Sequence, residues 1–419
     1  MPSASIDTSV PPGPSALRVT LASPLYRGAT VALFLSGLGF SAAAPQIASF
    51  LVNDMHVSLT TAGLFYLTNL TAPVAGYLIG ARSDRTGKRL GLFRLCALAG
   101  FLGWLGVAFS SQAWMPFAVS ALVLGFAGAA SSQLFAAIHD DLRASRTAMS
   151  SAVDGGVDDG VVSIVRMALT AGWVVGPVVG SFLAAAVSPR AMLAMTAVCT
   201  LAQIIPLGFL RATATPTRTP TRPEPVERTP GVRVMLPLLA FISLYVLVYA
   251  GEPIKYAYLP IYMRADLRLP AVISGAVIGI QPLIELMLMP LAIVLARRFG
   301  AMRLMVLGAA FGVGANLCFA LTGNVIGMFA GQVLMGGVWG VFAALGIIVA
   351  QRLLPDAVAT ASAVFMSSTA IASALGGLTG GAGVSILGLP LVFLAPAVYG
   401  TIATIGIAVM SRARQAGHS

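Results

Sequence analysis

Twelve stretches of this chain are long and apolar enough to cross a bilayer, and no other feature limits the fold as much. A hydrocarbon core takes roughly 20 helical residues per crossing. Runs near 28–50, 58–81, 89–109, 114–138, 161–186, 190–211, 234–263, 270–296, 301–321, 324–350, 357–386 and 388–411 reach that length. Hydrophobic residues fill 58% of the 419 positions and charged residues only 9%, too few to cover a water-soluble body of this size. The runs are too long and too uniformly apolar for the alternating ten-residue strands of a membrane barrel. The expected fold is therefore an all-α membrane protein of about twelve transmembrane helices.

Loops retained in the cytoplasm keep Lys and Arg, and twenty of the twenty-five such residues fall in alternate gaps. Arg18 and Arg27 precede span 1; Arg82, Arg85, Lys88, Arg89 and Arg94 follow span 2; Arg143 and Arg146 follow span 4. The series continues after spans 6, 8, 10 and 12, whereas the opposite gaps hold only Arg190, Arg264 and Arg268. Both termini are thus expected in the cytoplasm. The net charge of +11 lies along one membrane face, where it sets orientation and attracts anionic lipid; it does not call for a nucleic-acid partner. Residues 1–27 are Ser- and Pro-rich and read as a cytoplasmic tail without a signal peptide.

Residues 212–233, rich in Thr, Pro and Arg, suit neither a span nor a packed core and read as a cytoplasmic linker. It divides the chain into six-helix bundles at 28–211 and 234–411, with a cytoplasmic tail at 412–419. Transporters with two such halves hold their substrate between them, near the bilayer midplane. Small-residue patterns such as Gly125-Phe-Ala-Gly128 and Gly376-Gly-Leu-Thr-Gly380-Gly let helices approach closely.

Span 2 ends in Gly80-Ala-Arg-Ser-Asp84-Arg85-Thr-Gly87-Lys88-Arg89. An acid near a helix start is favoured by the macrodipole, and the neighbouring arginines can pair with acids elsewhere. The segment resembles the G-x-x-x-D-R-x-G-[RK]-[RK] loop between spans 2 and 3 of the major facilitator superfamily. The resemblance implies a cytoplasmic latch in which Asp84 faces the start of span 11 and Arg85 meets Asp140 or Asp141 at the end of span 4. The equivalent loop of the second half, Ala296-Arg-Arg-Phe-Gly300-Ala-Met-Arg303, keeps glycine and basic residues but lacks the acid. Gly172-Trp-Val-Val-Gly176-Pro177-Val-Val-Gly180 in span 5 is similar to a signature common among exporters of that superfamily, and implies a hinge or seal.

Ionisable groups inside a membrane are costly enough to be functional candidates by default. Arg166, Thr170 and Trp173 share one face of span 5; Tyr249, Glu252 and Tyr256 recur along span 7, with Lys255 three residues after Glu252; Gln281 and Glu285 lie one turn apart on span 8. Tyr66 and Asn69 on span 2, Gln133 on span 4 and Trp339 on span 10 extend the polar set. Amides, carboxylates and aromatic faces together fit a polar neutral ligand better than an apolar cation. The expected substrate-binding set is Asn69, Gln133, Arg166, Trp173, Tyr249, Glu252, Lys255, Tyr256, Gln281, Glu285 and Trp339. Leu64–Asn69, Gln133–Ala136, Ser163–Arg166 and Leu283–Glu285 resemble the sugar-efflux branch of the superfamily. That resemblance implies export of a sugar or sugar analogue in exchange for protons. Span 4 lacks the arginine that many proton-coupled members carry, so coupling is expected at Glu252 and Glu285.

A multidrug exporter is the alternative within the class. A membrane enzyme or sensor would need a catalytic or signalling domain that no loop is long enough to supply. The three cysteines and three histidines have no metal-ligand spacing, and Asp154–Gly160 lacks the closing acid of a calcium loop, so no cofactor or metal is expected. The expected partners are a small-molecule substrate, protons and the lipid bilayer, with the chain a monomer in the bacterial inner membrane.

Overall fold

The computed structural model describes residues 15–149, 155–208, 210 and 232–416. The linker expected at 212–233 lies almost wholly outside them, as do most of the N-terminal tail and the loop at 150–154. Twelve helices among the described residues are long and apolar enough to cross a membrane. They are span 1 (Pro24–Asn53), span 2 (Leu59–Thr86), span 3 (Arg89–Ala108), span 4 (Trp114–Ser145), span 5 (Gly160–Ala186) and span 6 (Pro189–Leu207). Span 7 (Arg233–Ala265), span 8 (Ala271–Phe299), span 9 (Ala301–Leu321), span 10 (Val325–Leu353), span 11 (Thr360–Leu387) and span 12 (Leu391–Ala413) follow. The face holding the loops after spans 2, 4, 8 and 10 is here termed the arginine-rich face.

The chain enters span 1 earlier than expected. Ser15 caps a short helix, Ala16–Ala22, and Ser23 then caps a new helix at the Tyr26 amide, with Pro24 in its first turn. Proline fits there because that amide would lack a helical partner in any case. Span 2 changes pitch midway, through a 3-10 stretch at Phe65–Thr71, and span 4 through a π-turn at Ser120–Leu124. The Thr68 and Ser120 hydroxyls meet at 2.8 Å, joining the two irregular segments. Span 7 is formed by two helices, Val232–Tyr249 and Gly251–Ala265, so Glu252 stands in the first turn of the second. The aligned amides there favour a negative charge.

Small residues bring the helix backbones together. A side chain at Gly176 would place its Cβ 2.6 Å from the Leu38 carbonyl oxygen and 3.0 Å from the Ala42 nitrogen of span 1. At Gly172 and Gly180 the same atom would meet Leu38 and Ala42 at 2.6 and 2.5 Å. This face of span 5 is therefore a seat for span 1. Beside it, Gly275 and Gly279 of span 8 approach Pro177 and Val174, carrying the packing into the second half of the chain. Overpacking such a seam costs about 1–3 kcal/mol, so Gly176→Leu is expected to lower the apparent melting temperature of the purified protein. Gly80→Ala should leave it unchanged, because no heavy atom lies within 4 Å of the added methyl.

Candidate functional site

Four buried polar side chains form one connected group in the second half. Lys255, 1% exposed, makes an ion pair with Glu252 and donates to Gln281 Oε1. Gln281 Nε2 donates to Glu252 Oε1 at 2.9 Å, and the Trp339 indole N–H donates to the same oxygen. Three spans thus converge on one carboxylate. Burying it is tolerable only because a cation and two neutral donors replace its lost water.

An aromatic wall surrounds this group. The Lys255 ammonium lies 4.5 Å from the centre of the Tyr256 ring. Tyr249 meets Trp339 edge to face at 4.9 Å, and Tyr256 faces Trp173 of span 5 at 6.5 Å. Trp173 in turn contacts Phe40 of span 1 at 5.6 Å. The wall is therefore continuous from one half of the chain into the other.

Arg166 and Glu285 differ from the buried group. Arg166 is exposed and Glu285 half-buried, and neither guanidinium nor carboxylate takes a hydrogen bond or a direct ion pair among the described residues. Each nevertheless lies within electrostatic range of the other, as do Glu252 and Lys255 of Glu285. A cation of the first half and an acid of the second thus lie within electrostatic range of each other, neither with a hydrogen bond to its charged group among the described residues. Asn69 ties the two halves together, its Nδ2 donating to Ser373 Oγ of span 11 at 2.9 Å, and that hydroxyl donates to the Tyr66 carbonyl at 3.2 Å. Ser373 carries no periodic or compositional signal in the sequence. Only its partner, 304 residues away, gives it significance.

Gln133 does not join this site. It is buried toward the arginine-rich face and accepts from the Ser83 hydroxyl. Ser83 in turn accepts from Arg89 Nη1 at 2.7 Å. Arg89 also pairs with Asp84 at 2.7 Å and with Asp140 at 3.0 Å. Thus Arg89, rather than Arg85, holds the acid at the end of span 4, and Asp84 pairs with Arg89 rather than with span 11. Asp141 accepts from the Tyr26 hydroxyl at 2.7 Å, while Arg85 and Lys88 are exposed. Gly87 ends span 2 in the left-handed region, with φ 64°, where a Cβ would be strained.

The contacts between halves lie away from the arginine-rich face. Tyr258 donates to the Leu59 carbonyl at 3.1 Å, and a side chain at Gly377 would meet the Gly63 carbonyl oxygen at 3.0 Å. Further out, Asp54 closes span 1. Desolvation raises its carboxyl above the usual range, against the opposing pull of Arg190, Arg264 and His56.

Relatives share this plan along nearly their full length. Sugar efflux transporter A of Dickeya chrysanthemi is 27% identical over 354 residues, covering 84% of this chain and 86% of that protein. Sugar efflux transporter A of Escherichia coli is 23% identical over 361 residues, covering 85% and 89%. The crystal structure of the nucleoside transporter NupG superposes with a TM-score of 0.73 at 14% identity, covering 93% of this chain and 98% of that one, a likeness of fold. The Major Facilitator Superfamily family model matches residues 29–365, and with twelve candidate spans around a polar seam the chain belongs to that superfamily as a multi-pass membrane transporter, not an enzyme.

Proposed function

We propose that this transporter exports a small polar solute, a sugar or sugar analogue, from the bacterial cytoplasm by exchanging it for protons. The observation that carries the proposal is the buried Glu252–Lys255–Gln281–Trp339 group beside an aromatic wall that runs into the first half, with the charges of Arg166 and Glu285 in electrostatic range of each other. Carboxylates, amides and a guanidinium hold hydroxyls by directional hydrogen bonds, while Trp173, Tyr249 and Tyr256 offer faces for the C–H surface of a sugar ring. The names of the curated relatives support the same substrate class.

Alternating access follows from the seam. The halves meet through Tyr258, Gly63, Gly377 and Gly275, far from the arginine-rich face, so this state opens toward that face. The basic loops make it the cytoplasmic one. The Asp84 side chain, 72% exposed, holds Arg89 by a pair worth roughly 0–1 kcal/mol, weak enough to exchange partners. In the outward-open state Asp84 turns to the start of span 11, and the smooth face at Gly76 and Gly80, clear of heavy atoms for 4 Å, receives the second half. Gly172, Gly176, Pro177 and Gly180 keep spans 1 and 5 together as the halves rock, and the chain works as a monomer.

The test is transport by purified protein in sealed liposomes. With an imposed pH gradient, labelled mono- or disaccharides are expected to accumulate, and unlabelled sugar should compete. Movement of a fluorescent cationic drug that sugars do not inhibit would replace this reading with a multidrug exporter.

A further inference from the structure

We propose that Ser373 occupies, in this state, the place that a solute hydroxyl takes at Asn69, so that a bound solute frees the innermost tie between spans 2 and 11 and lets the outer seam part. This step rests on the export of a hydroxyl-bearing solute proposed above: such a solute triggers its own passage.

Spans 2 and 11 meet as a ladder with one rung per helical turn. A side chain at Gly381 would place its Cβ 3.0 Å from the Thr60 carbonyl oxygen, and one at Gly377 would meet the Gly63 carbonyl oxygen at 3.0 Å and the Tyr66 Cβ at 3.3 Å. One turn further in, close backbone contact gives way to hydrogen bonds, from Asn69 Nδ2 to Ser373 Oγ at 2.9 Å and from Ser373 to the Tyr66 carbonyl at 3.2 Å. The ladder ends there. Further along span 2, an added Cβ at Gly76 or Gly80 meets no heavy atom within 4 Å. Ser373 is 5% exposed whereas Asn69 is exposed, so the tie has the packed seam on one side and an accessible amide on the other.

The chemistry of the tie is that of a ligand site. An aliphatic hydroxyl that accepts from a carboxamide N–H is what a solute would offer Asn69, and Ser373 supplies the same group from the protein itself. The other N–H and the carbonyl oxygen of Asn69 make no hydrogen bond among the described residues, so a solute can engage the amide before Ser373 leaves it. Position agrees with this role. Tyr66 lies within electrostatic range of Glu252 and of Tyr256, which puts the tie beside the buried polar group. Tyr66 and Asn69 also belong to the 3-10 stretch Phe65–Thr71, and a mid-helix stretch of that kind often marks a hinge. Thr68 fastens it to Ser120 within the first half; Ser373 fastens it across the seam.

The test titrates detergent-purified full-length protein with glucose, galactose, lactose and sucrose, following tryptophan fluorescence, and measures deuterium uptake over residues 59–71 and 373–381. Ser373→Ala removes the competing hydroxyl. It is expected to bind sugar about three- to tenfold more tightly and, without sugar, to take up more deuterium than the wild type in both segments. Sugar should raise the uptake of the wild type toward that of the variant. Ser367→Ala, on the same helix but with its hydroxyl bonded to the Ala363 carbonyl of its own turn, should match the wild type in both measurements. A hydroxyl that only supports packing would not restrain binding, so unchanged or weaker affinity in Ser373→Ala overturns the proposal, as does sugar binding that leaves wild-type uptake where it was. Failure of the wild type to bind any of the four sugars would instead overturn the substrate class proposed above. The uptake of Ser373→Ala without sugar then decides the tie by itself, raised if Ser373 holds the seam and unchanged if it does not.

Discussion

Lys255→Met is expected to be among the most destabilising single substitutions in the chain. Its ammonium is 1% exposed and lies against the Glu252 carboxylate, Gln281 Oε1 and the Tyr256 ring. Methionine fills a similar volume but leaves Glu252 with only two neutral donors, Gln281 and Trp339, and no opposing charge. Removing one partner of a buried ion pair costs roughly 3–5 kcal/mol, whereas replacing both is often neutral. The double substitution Glu252→Gln with Lys255→Met should therefore recover most of the lost melting temperature while remaining unable to transport. The double-mutant cycle isolates the pair from the packing change at either position. A double variant as unstable as Lys255→Met, or a single variant as stable as the wild type, would mean that the pair does not hold this site together.

The spans were legible in the sequence because lipid demands about twenty apolar residues for each crossing, and no tertiary contact can relax that requirement. The polar seam was legible for a related reason: a charge retained in such a run needs a partner, and Glu252 and Lys255 stand at a helical spacing that supplies one. Partners distant in sequence were not legible. Gln133 in an apolar run reads equally as a ligand for substrate or as a buried tie, and only the position of Ser83, on another span, decides for the tie. Arg85 and Arg89 are equally basic, yet the left-handed turn at Gly87 separates them, and span 3 starts with Arg89 pointing back at Asp140. The break in span 7 has a signal in the sequence. Gly251 and Pro253 flank Glu252, and a proline in the first turn of a helix marks a fresh start.

Glu285→Gln is expected to abolish pH-driven accumulation while leaving sugar binding and sugar-for-sugar exchange measurable. Glutamine keeps the size and most of the hydrogen-bonding capacity of the acid but cannot carry a proton. Glu285 suits a coupling role better than Glu252 does. Glu252 is fixed by Lys255, Gln281 and Trp339, whereas the half-buried Glu285 has no hydrogen bond or ion pair among the described residues and feels Arg166 across the seam. A carboxylate so placed responds to a change in the distance of its cation: approach of the guanidinium favours loss of the proton, and withdrawal or screening by a bound sugar favours its return. Exchange of labelled for unlabelled sugar needs no net proton movement, so it should survive the substitution. Accumulation against a gradient should fall by at least about tenfold. Arg166→Gln should instead weaken binding itself, which quenching of Trp173 fluorescence by added sugar would follow in both variants. Undiminished pH-driven accumulation in Glu285→Gln would remove this residue from coupling and return the role to the Glu252 carboxylate, where proton exchange would have to break the ion pair with Lys255 on every cycle.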